Sequence, residues 1–257
     1  MKMFVSERRS IIMETLKEKK RVTVKELAER IGVSEATLRT DLNQLEQDGL
    51  LTRTHGGAVL NGELEIETRF SVRKMKNKKE KQKIALKALE LVQEKQCIIL
   101  DASSTVLELA SYIKKQSTQL TVITSGIQTA LELIENPEIT VILVGGVITK
   151  GSGAIEGTLG LNILDSVNID TMFTSSNGFT FESGLTDFNL YEVTLKKEMI
   201  KRAENVIALI DSTKIGKNSS AVFAETEHVD TLISDKEIDK ELLGKLTNSG
   251  VRVVIAE

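Results

Sequence analysis

The sequence predicts an α/β protein in which an N-terminal winged helix-turn-helix precedes a mostly parallel α/β sheet domain. The length of 257 residues exceeds that of a typical single domain, and 40% apolar residues are enough for two separate cores. Apolar residues recur at helical spacing before residue 50, whereas short β-branched runs separated by helical stretches follow residue 84. We therefore expect a small domain over residues 1–60, a linker over 61–83 and a sheet domain over 84–257.

Charge is distributed unevenly along the chain, although the formal net charge is only −3. Residues 1–83 contain 19 Lys and Arg against 13 Asp and Glu, whereas residues 84–257 contain 15 against 24. A basic N-terminal part followed by an acidic remainder indicates that one end of the protein binds a polyanion. The linker holds eight basic residues: Arg69, Arg73, Lys74, Lys76, Lys78, Lys79, Lys81 and Lys83.

Composition excludes several classes of protein. The longest apolar runs, at 97–100 and 141–144, are far too short to cross a bilayer, and the charged first residues lack a secretory hydrophobic region. We expect a cytoplasmic protein without membrane contact. Because Cys97 is the single cysteine and His55 and His228 are the two histidines, the sequence predicts no metal site and no cofactor.

The first domain begins with three predicted helices. Apolar positions at helical spacing predict a helix over 6–19, and Thr23 with Glu26 forms a capping box that opens a second helix. Gly32 ends this helix, and Ser34 caps the third one, so two helices meet at a tight turn. The buried stripe of the third helix consists of leucines at i, i+4 and i+7: Leu38, Leu42 and Leu45.

The run 50–59 predicts a β-hairpin with a Gly-Gly corner, which is the shape of a wing. Opposite its leucines, the third helix carries the short polar or basic residues that reach base edges in the major groove. We therefore predict binding of double-stranded DNA. Small helical hairpins also occur in protein-interaction domains, but the order of turn, capped helix and wing favours DNA. The predicted contact residues are Ser34, Ala36, Thr37, Arg39, Thr40, Arg53 and His55.

The second domain contains short apolar runs between helical stretches. Continuous rather than alternating hydrophobic strands indicate a mostly parallel sheet that is covered on both faces. The predicted strands are 97–101, 120–124, 139–144, 169–174, 205–211, 229–234 and 251–255.

Small polar residues and glycines follow several of these strands. In an open parallel sheet, ligands bind beyond the carboxyl ends of the strands, where hydroxyls and backbone N–H groups hold anions. Together with the positive charge of Lys214, such loops suit a small phosphorylated, hydroxyl-rich ligand. The predicted ligand-binding residues are Asp101, Ser103, Ser104, Thr105, Thr124, Ser125, Gly145, Gly146, Asn177, Gly178 and Lys214.

Each of these loops, taken singly, also fits a helix cap or a turn. The ligand site is therefore predicted from their repetition at successive strand ends. The basic residues Lys196, Lys197, Lys201 and Arg202 are expected to form a solvated helix face, and a Glu192–Lys196 pair at the border of the pocket is the alternative.

Segments in both halves of the chain match one known family. In the first half they are Glu7-Arg8-Arg9, Val24 to Ala28, Val33 to Leu42, Leu45-Glu46 and His55-Gly56-Gly57-Ala58. In the second half they are Asp101 to Thr105, Thr124-Ser125, Gly145-Gly146, Gly178, Glu192 with Lys196, Met199, Ala203 and Asp211 to Gly216. With these segments the chain resembles the DeoR family of bacterial transcriptional regulators. The resemblance implies a second domain that is similar in fold to ribose 5-phosphate isomerase and senses a sugar phosphate.

The chain departs from the family's pattern at four positions. The family usually has a second arginine where Thr40 stands, so we expect a different operator contact there. It commonly has glycine at the position of Ser103, asparagine at Ser125 and aspartate at Asn177. These differences are expected to alter ligand choice.

The favoured interpretation is a repressor of sugar or carbohydrate metabolism genes that is released from operator DNA when a phosphorylated sugar binds the second domain. By linkage, such a ligand must bind the DNA-free and DNA-bound conformations with different affinity. An operator with two-fold symmetry is bound by two DNA-binding domains, so a homo-oligomer, either a dimer or a tetramer, is expected.

Three alternatives remain. The second domain is a purely oligomerising module if its loops merely cap helices. It is an active sugar-phosphate isomerase if Asp101 or Glu192, with Lys214, moves a proton, but an amide at Asn177 cannot act as a general base. A metal-sensing repressor is disfavoured by the scarcity of Cys and His. We predict no enzymatic activity and no catalytic residues.

Overall fold

The structure, a computed structural model, describes residues 4–48, 50–54, 56–60, 70–149 and 151–257. The chain forms two compact units, Met1–Met75 and Lys76–Glu257. Their boundary lies within the segment 61–83 that the sequence predicts as a linker, and residues 78–83 belong to a helix of the second unit. None of the described helices is long and apolar enough to span a membrane.

The first unit combines helices with a small antiparallel sheet. Its elements are α1 (Val5–Lys19), β1 (Arg21–Thr23), α2 (Val24–Ile31), α3 (Glu35–Gln47), β2 (Thr52–Thr54), β3 (Gly57–Val59) and α4 (Phe70–Met75). Strands β2 and β3 form the predicted wing hairpin, and β1, which the sequence did not indicate, pairs with the other edge of β3. A side chain at Gly57 would place its Cβ 1.9 Å from the carbonyl oxygen of Val22, so this strand pairing requires glycine there.

Local sequence explains how α2 and α3 meet. The Thr23 hydroxyl accepts a hydrogen bond from the N–H of Glu26, whose carboxylate accepts from the N–H of Thr23 at 2.8 Å. Gly32 ends α2 in the left-handed conformation with φ 75°. Ser34 Oγ then accepts from the N–H of Thr37 and caps α3. The predicted capping box, turn and third helix are confirmed.

The second unit is built on a parallel sheet. Its helices are α5 (Lys78–Leu89), α6 (Ser104–Ile113), α7 (Ile127–Leu133), α8 (Leu190–Ile200) and α9 (Lys240–Asn248). The strands of the main sheet are β4 (Cys97–Leu100), β5 (Leu120–Thr124), β6 (Ile139–Leu143), β9 (Ile169–Thr174), β12 (Ala203–Leu209), β14 (Thr231–Ser234) and β15 (Arg252–Ile255). Within the described residues they run parallel in the order β15-β14-β12-β9-β4-β5-β6, and they correspond to the seven predicted strands.

Short antiparallel elements accompany this sheet. They are β7 (Val147–Ile148) with β8 (Ile155–Glu156), and β10 (Gly178–Thr180), β11 (Gly184–Asp187) and β13 (Ala221–Ala224) in a second sheet. The sequence did not predict them because their residues form no continuous apolar run like those of the main sheet.

Apolar layers cover both faces of the main sheet. In β4, Ile99 packs with residues of α8 and α9, whereas Ile98 and Leu100 pack with residues of α5 and α6. This alternation is the period-two pattern of a strand buried on both sides. It confirms the prediction of a doubly covered parallel sheet.

The strand order contains one reversal. From β4 the chain proceeds outward through β5 to β6, then returns to β9 on the other side of β4 and continues outward through β12, β14 and β15. Ligands of open α/β sheets bind at such a switch point, outside the carboxyl ends of the two diverging strands. Asp101 directly follows β4 and Ser175 directly follows β9, so both stand at this position.

Candidate functional sites

The candidate DNA interface is the face of α3 opposite its leucines. Leu38, Leu42 and Leu45 are buried in the core of the first unit. Of the predicted contact residues, Ala36, Arg39 and Thr40 are exposed, Thr37 is half-buried, and Ser34 is the exposed N-cap of the helix. Ala36, Arg39 and Thr40 therefore share one exposed helix surface, as the helical spacing predicts, with Ser34 at its N-terminal end.

Hydrogen bonds occupy part of this surface in the free protein. Arg39 Nη2 donates to Glu35 Oε2 at 2.8 Å, and the Thr40 hydroxyl donates to the carbonyl oxygen of Ala36 at 3.1 Å. The Thr40 hydroxyl is thus directed towards its own helix. Arg39 contributes positive charge to this face. Its ion pair with Glu35 is exposed to solvent, so breaking it costs little free energy.

The wing is tied to α3 by Arg53. Its backbone N–H donates to Glu46 Oε1 at 2.7 Å, and its guanidinium donates to the carbonyl oxygen of Gly57 at 3.1 Å. Glu46 is a positioning residue that sequence reasoning did not single out. The remaining predicted contact, His55, lies outside the described residues.

Arg8 and Asp41 fix α1 against α3. The Arg8 guanidinium donates through Nε and Nη2 to the two carboxylate oxygens of Asp41, and the two side chains are 10% and 3% exposed. The carboxylate raises the pKa of Arg8 through hydrogen bonding. Asp41 stands one residue after Thr40, so this buried pair fixes the rotation of α3 about its axis.

The candidate ligand site begins at Asp101, which is fully buried at the end of β4. Its carboxylate accepts from the N–H of Ser103 at 2.8 Å, from the Thr174 hydroxyl at 2.7 Å and from the N–H of Ser175 at 3.1 Å. Burial alone would raise the pKa of Asp101, but Lys196 and the donors from Ser103 and Thr174 hold it below its usual value. Asp101 therefore fixes two loops at the switch point and is a poor proton acceptor.

Lys196 is buried, and the prediction that it belongs to a solvated helix face is wrong. Its Nζ donates to the carbonyl oxygen of Ser175 at 2.8 Å and to Asp187 Oδ2 at 3.1 Å, and lies 3.1 Å from Asp101 Oδ2. Desolvation would lower the pKa of Lys196, but these carboxylates and Glu192 raise it well above its usual value. By contrast, Lys197 and Lys201 of the same helix region are exposed.

Two other lysines converge on the start of α6. Lys214 Nζ donates to Ser175 Oγ at 3.3 Å, and Ser175 Oγ donates to Thr105 Oγ1 at 3.4 Å. Lys81 Nζ donates to Ser104 Oγ at 3.1 Å. These cations stand beside the N-terminus of a ten-residue helix that Ser103 caps. Positive side chains and helix N–H groups at one point form a site for an anion.

The structure does not bring every predicted residue into this cluster. Thr124 and Ser125 follow β5, where the Thr124 hydroxyl accepts from the N–H of Gly126 and Ser125 accepts through its carbonyl oxygen from Ile155. Gly145 and Gly146 follow β6, two strands from β4 and roughly 10 Å away.

Two of the predicted glycines have a packing role. A Cβ at Gly146 would lie 2.4 Å from the carbonyl oxygen of Glu156, and one at Gly178 would lie 2.4 Å from that of Lys217. The sequence placed these glycines in the ligand site, whereas the structure shows the close approach of another chain segment to each of them. Asn177 is exposed, and its N–H donates to the carbonyl oxygen of Thr186.

Sequence reasoning missed Lys81, Ser175 and Asp187. Lys81 was assigned to the linker, yet it stands at helical spacing before Ile84, Ala85 and Ala88, which are all buried. That spacing is a signal that the residue faces the core. Among the described residues, no group of three or more His, Cys, Asp or Glu side chains is placed to hold a metal ion.

Comparison with known proteins agrees with this architecture. Residues 8–63 match the DeoR-like helix-turn-helix domain, and residues 76–236 match the DeoR C terminal sensor domain. HTH-type transcriptional regulator GolR of Listeria innocua is 46% identical over 255 residues, which cover 99% of this chain and 100% of that protein. HTH-type transcriptional repressor GlcR of Bacillus subtilis is 31% identical, over 99% of this chain and 98% of that protein.

One further relative and one solved structure were also matched. The L-fucose operon activator of Haemophilus influenzae is 32% identical over 91% of this chain and 94% of its own length. A solved D-ribose-5-phosphate isomerase in complex with phospho-erythronic acid aligns with 54% of this chain and 54% of its own, at a TM-score of 0.42 and 19% identity. The two family matches and the full-length relatives establish that the chain belongs to the DeoR family of transcriptional regulators.

Proposed function

We propose that the second unit binds a small phosphorylated sugar beyond the carboxyl ends of β4, β9 and β12, and that this ligand changes the affinity of the first unit for operator DNA. The observation that carries the proposal is that two lysines reach the N-terminal turn of α6: Lys81 donates to Ser104, and Lys214 donates to the Ser175 hydroxyl, which in turn donates to Thr105. The Lys214 side chain is 20% exposed, so a ligand from solvent reaches its charge. Phosphate is the common biological anion that fits two cations and a helix start.

Repression released by the ligand is the proposed direction. GlcR is named a transcriptional repressor, whereas the relative from Haemophilus influenzae is named an operon activator. A repressor blocks transcription when it is bound to DNA, whereas an activator promotes it. In either case the ligand and the DNA weaken or strengthen each other by the same factor.

For DNA contact we propose α3 in the major groove. On binding, Arg39 breaks its exposed ion pair with Glu35 and contacts a base edge or a phosphate instead. Ala36 and Thr37 line the groove beside it. Ser34 offers its backbone N–H to a phosphate at the helix start. Arg53 holds the wing in shape, which supports a role in positioning and in phosphate contact.

A homo-oligomer forms part of this proposal. Several apolar side chains are exposed at the free edge of the main sheet and around the β7–β8 hairpin: Leu143, Val147, Ile148 and Leu159. Exposed apolar side chains that gather at a sheet edge commonly mark an interface. Sedimentation of the full chain tests this point, and a monomer at the concentration of DNA binding would contradict it.

We infer that the chain is not an isomerase. Both carboxylate oxygens of Asp101 are engaged by hydrogen-bond donors and by Lys196, which keeps this group ionised and weakly basic. Glu192 contributes to the charge around Lys196, within the same buried cluster. Assay of aldose–ketose conversion by the purified protein checks the inference, and turnover would overturn it.

The main experiment measures binding of the full chain to DNA from upstream of its own gene, by fluorescence anisotropy. A panel of sugar phosphates is compared with the unphosphorylated parent sugars. We expect a phosphorylated sugar to change DNA affinity and its parent to have no effect. Lys214→Ala removes the response while DNA binding without ligand persists, and Lys217→Ala, at an exposed lysine three residues away, is the matched control. If no sugar phosphate changes the affinity, the second unit only oligomerises.

A further inference from the structure

Asn77 interrupts a stretch of chain that is otherwise helical. Helix α4 ends at Met75, α5 begins at Lys78, and Asn77 has the left-handed conformation, with φ 53° and ψ 40°. A residue with a Cβ adopts this conformation at a cost, which asparagine tolerates better than most. Residues 70–89 include neither proline nor glycine, so the local sequence also permits one continuous helix.

Hydrogen bonds of the Asn77 side chain hold this break in place. Its amide nitrogen donates to Thr213 Oγ1 and to Asp211 Oδ1, each at 3.0 Å. Thr213 directly precedes Lys214, the lysine at which we place the ligand phosphate. The left-handed residue is therefore attached to the loop that carries the proposed ligand-binding charge.

The first turn of α5 reaches the other part of the proposed phosphate site. The Asn77 carbonyl oxygen accepts from the N–H of Lys81 at 3.0 Å, which opens the helix. Lys81 Nζ in turn donates to Ser104 Oγ at the start of α6. A phosphate that contacts both Lys214 and Lys81 needs the loop and this helical turn side by side, and the bonds of Asn77 keep them so. A ligand at this site therefore favours the left-handed conformation.

On the other side of Asn77, α4 is attached to α3. Ser71 Oγ donates to the carbonyl oxygen of Asp48 at 2.9 Å, and Asp48 is the C-cap of α3. Phe70, at the start of α4, is buried, and Lys76 is the single residue between α4 and Asn77. The backbone conformation of Asn77 therefore decides whether α5 continues into the helix that holds the end of α3.

We propose that Asn77 is the hinge that couples the ligand to DNA binding. In its left-handed conformation α4 and α5 are separate, and the sugar phosphate favours this state. In a right-handed conformation they form one helix over 70–89, and operator DNA favours that state, because the proposed ligand and DNA weaken each other's binding. The inference rests on the proposed function, since it requires a ligand at Lys214, and it adds the residue through which that ligand acts.

Two substitutions test the backbone conformation without any ligand. Asn77→Gly and Asn77→Ala both lose the amide, but glycine adopts the left-handed conformation freely, whereas alanine prefers the right-handed helix. We expect Asn77→Ala to bind operator DNA about three- to tenfold more tightly than Asn77→Gly, as measured by fluorescence anisotropy of the full chain. If Asn77 were only structural, the order would be reversed, because a left-handed alanine is strained and lowers the amount of folded protein.

A second measurement tests the coupling. The probes are ribose 5-phosphate, fructose 6-phosphate and glucose 6-phosphate, each at a concentration that saturates the protein by calorimetry. In the wild type we expect at least one probe to lower DNA affinity about tenfold or more. In both Asn77 variants the same probe still binds, but its effect on DNA affinity falls to about twofold or less, because the Lys214 loop is no longer bonded to the hinge.

Lys95 provides the matched control. It is exposed, lies in the second unit and is also left-handed, with φ 67°. Its N–H donates to the carbonyl oxygen of Gln119, which is not part of the proposed site. Lys95→Gly and Lys95→Ala are expected to bind DNA with equal affinity and to keep the wild-type response to the probe.

The outcomes separate the two proposals. If no probe changes the DNA affinity of the wild type, control by a sugar phosphate is wrong, and a hinge that relays it is wrong as well. If the wild type responds but the glycine and alanine variants bind DNA equally, or if either variant keeps the full response, the hinge is overturned while the phosphate site stands. Loss of probe binding in Asn77→Gly also overturns the hinge, since Asn77 would then be a ligand contact. Because Asn77→Gly retains the native backbone conformation, its response to the probe decides the question even if the alanine variant does not fold.

Discussion

Lys196 and Lys214 both face buried carboxylates in the second unit, yet they are held in different ways. Lys196 is 5% exposed and has three oxygen partners within 3.1 Å. Lys214 is 20% exposed and lies 3.3 Å from Ser175 Oγ and 3.4 Å from Asp211. A buried charge surrounded by acceptors maintains the fold, whereas a charge at the solvent boundary is accessible to a ligand.

The first unit repeats this contrast. Arg8 and Asp41 form a buried two-point pair that fixes α3, whereas Arg39 and Glu35 form a pair on the exposed face of α3, with side chains 58% and 46% exposed. In the first unit the buried, or closed, pair positions the helix that carries the exposed, or open, pair. In the second unit the closed cluster around Lys196 holds Ser175, whose hydroxyl accepts from Lys214. Removing a closed pair should therefore cost stability, and removing an open one should cost binding.

The largest effect is expected from Lys196→Met. The variant leaves Asp101 and Asp187 buried without their cation, and breaking such a cluster costs about 3–5 kcal/mol of unfolding free energy. Urea unfolding of the second unit measures it. Lys197→Met, at the exposed neighbour, should change stability by less than about 0.5 kcal/mol. Equal losses in the two variants would break the distinction between closed and open charges.

Arg8→Met is the corresponding test in the first unit. Asp41 then loses its two-point partner, and a hydrogen bond to a charged group is worth about 2 kcal/mol. Arg9→Met is the control, because Arg9 is 32% exposed and reaches Asp41 only at 3.4 Å. The loss should be several times smaller in Arg9→Met, as measured by thermal unfolding of the full chain. A smaller loss in Arg8→Met than in Arg9→Met would contradict the assignment.

Hydrophobic patterning was sufficient to predict the fold. The seven parallel strands are continuous β-branched runs, and the caps at Thr23, Gly32 and Ser34 are short-range signals. Strands β1, β7, β8, β10, β11 and β13 were missed because their pairing partners, rather than their own residues, determine them. The same is true of Gly57, whose requirement comes from the backbone of Val22.

The candidate site was predicted in part. Polar residues after β4 and β12 were found because strand ends are a known place for ligands, and the structure brings Thr105, Ser104 and Lys214 close together. Lys81 and Lys196 were misplaced because a lysine is usually solvated, and no local pattern shows which distant groups it contacts: Ser104 for Lys81, and Asp101 and Asp187 for Lys196. Burial of charge depends on three-dimensional partners, which helical spacing alone only suggests.

The pH dependence of the unfolding free energy tests the stabilising role of the buried cluster around Lys196, to which Asp101 belongs. The pKa of Asp101 is lower in the folded protein than its unfolded value of about 3.9, so its stabilisation is present above that value and is lost as pH falls through the folded pKa. Urea unfolding of the wild type across this acidic range should therefore show stability decreasing by up to about 1.4 kcal/mol per pH unit for this group. Asp101→Asn should flatten the acidic limb, and an unchanged slope would remove Asp101 as its cause.

The smallest effect on stability, and the most specific effect on function, is expected from Arg39→Ala. An exposed pair at i,i+4 contributes only about 0.3–0.5 kcal/mol, so thermal unfolding should hardly change. Affinity for operator DNA should nevertheless fall about tenfold, since one contact to a base or phosphate in a protein–DNA interface contributes about 1–3 kcal/mol.

Salt dependence then identifies the contact that Arg39 makes. If Arg39 binds a phosphate, the variant should lower the slope of log affinity against log salt by about 1, and if it reads a base the slope should stay and sequence preference should relax. Arg30→Ala is the control, because Arg30 forms an equally exposed pair with Glu18 away from α3. Were Arg30→Ala to weaken DNA binding as much as Arg39→Ala, the open pair on α3 would have no special role, since general charge would then explain both losses.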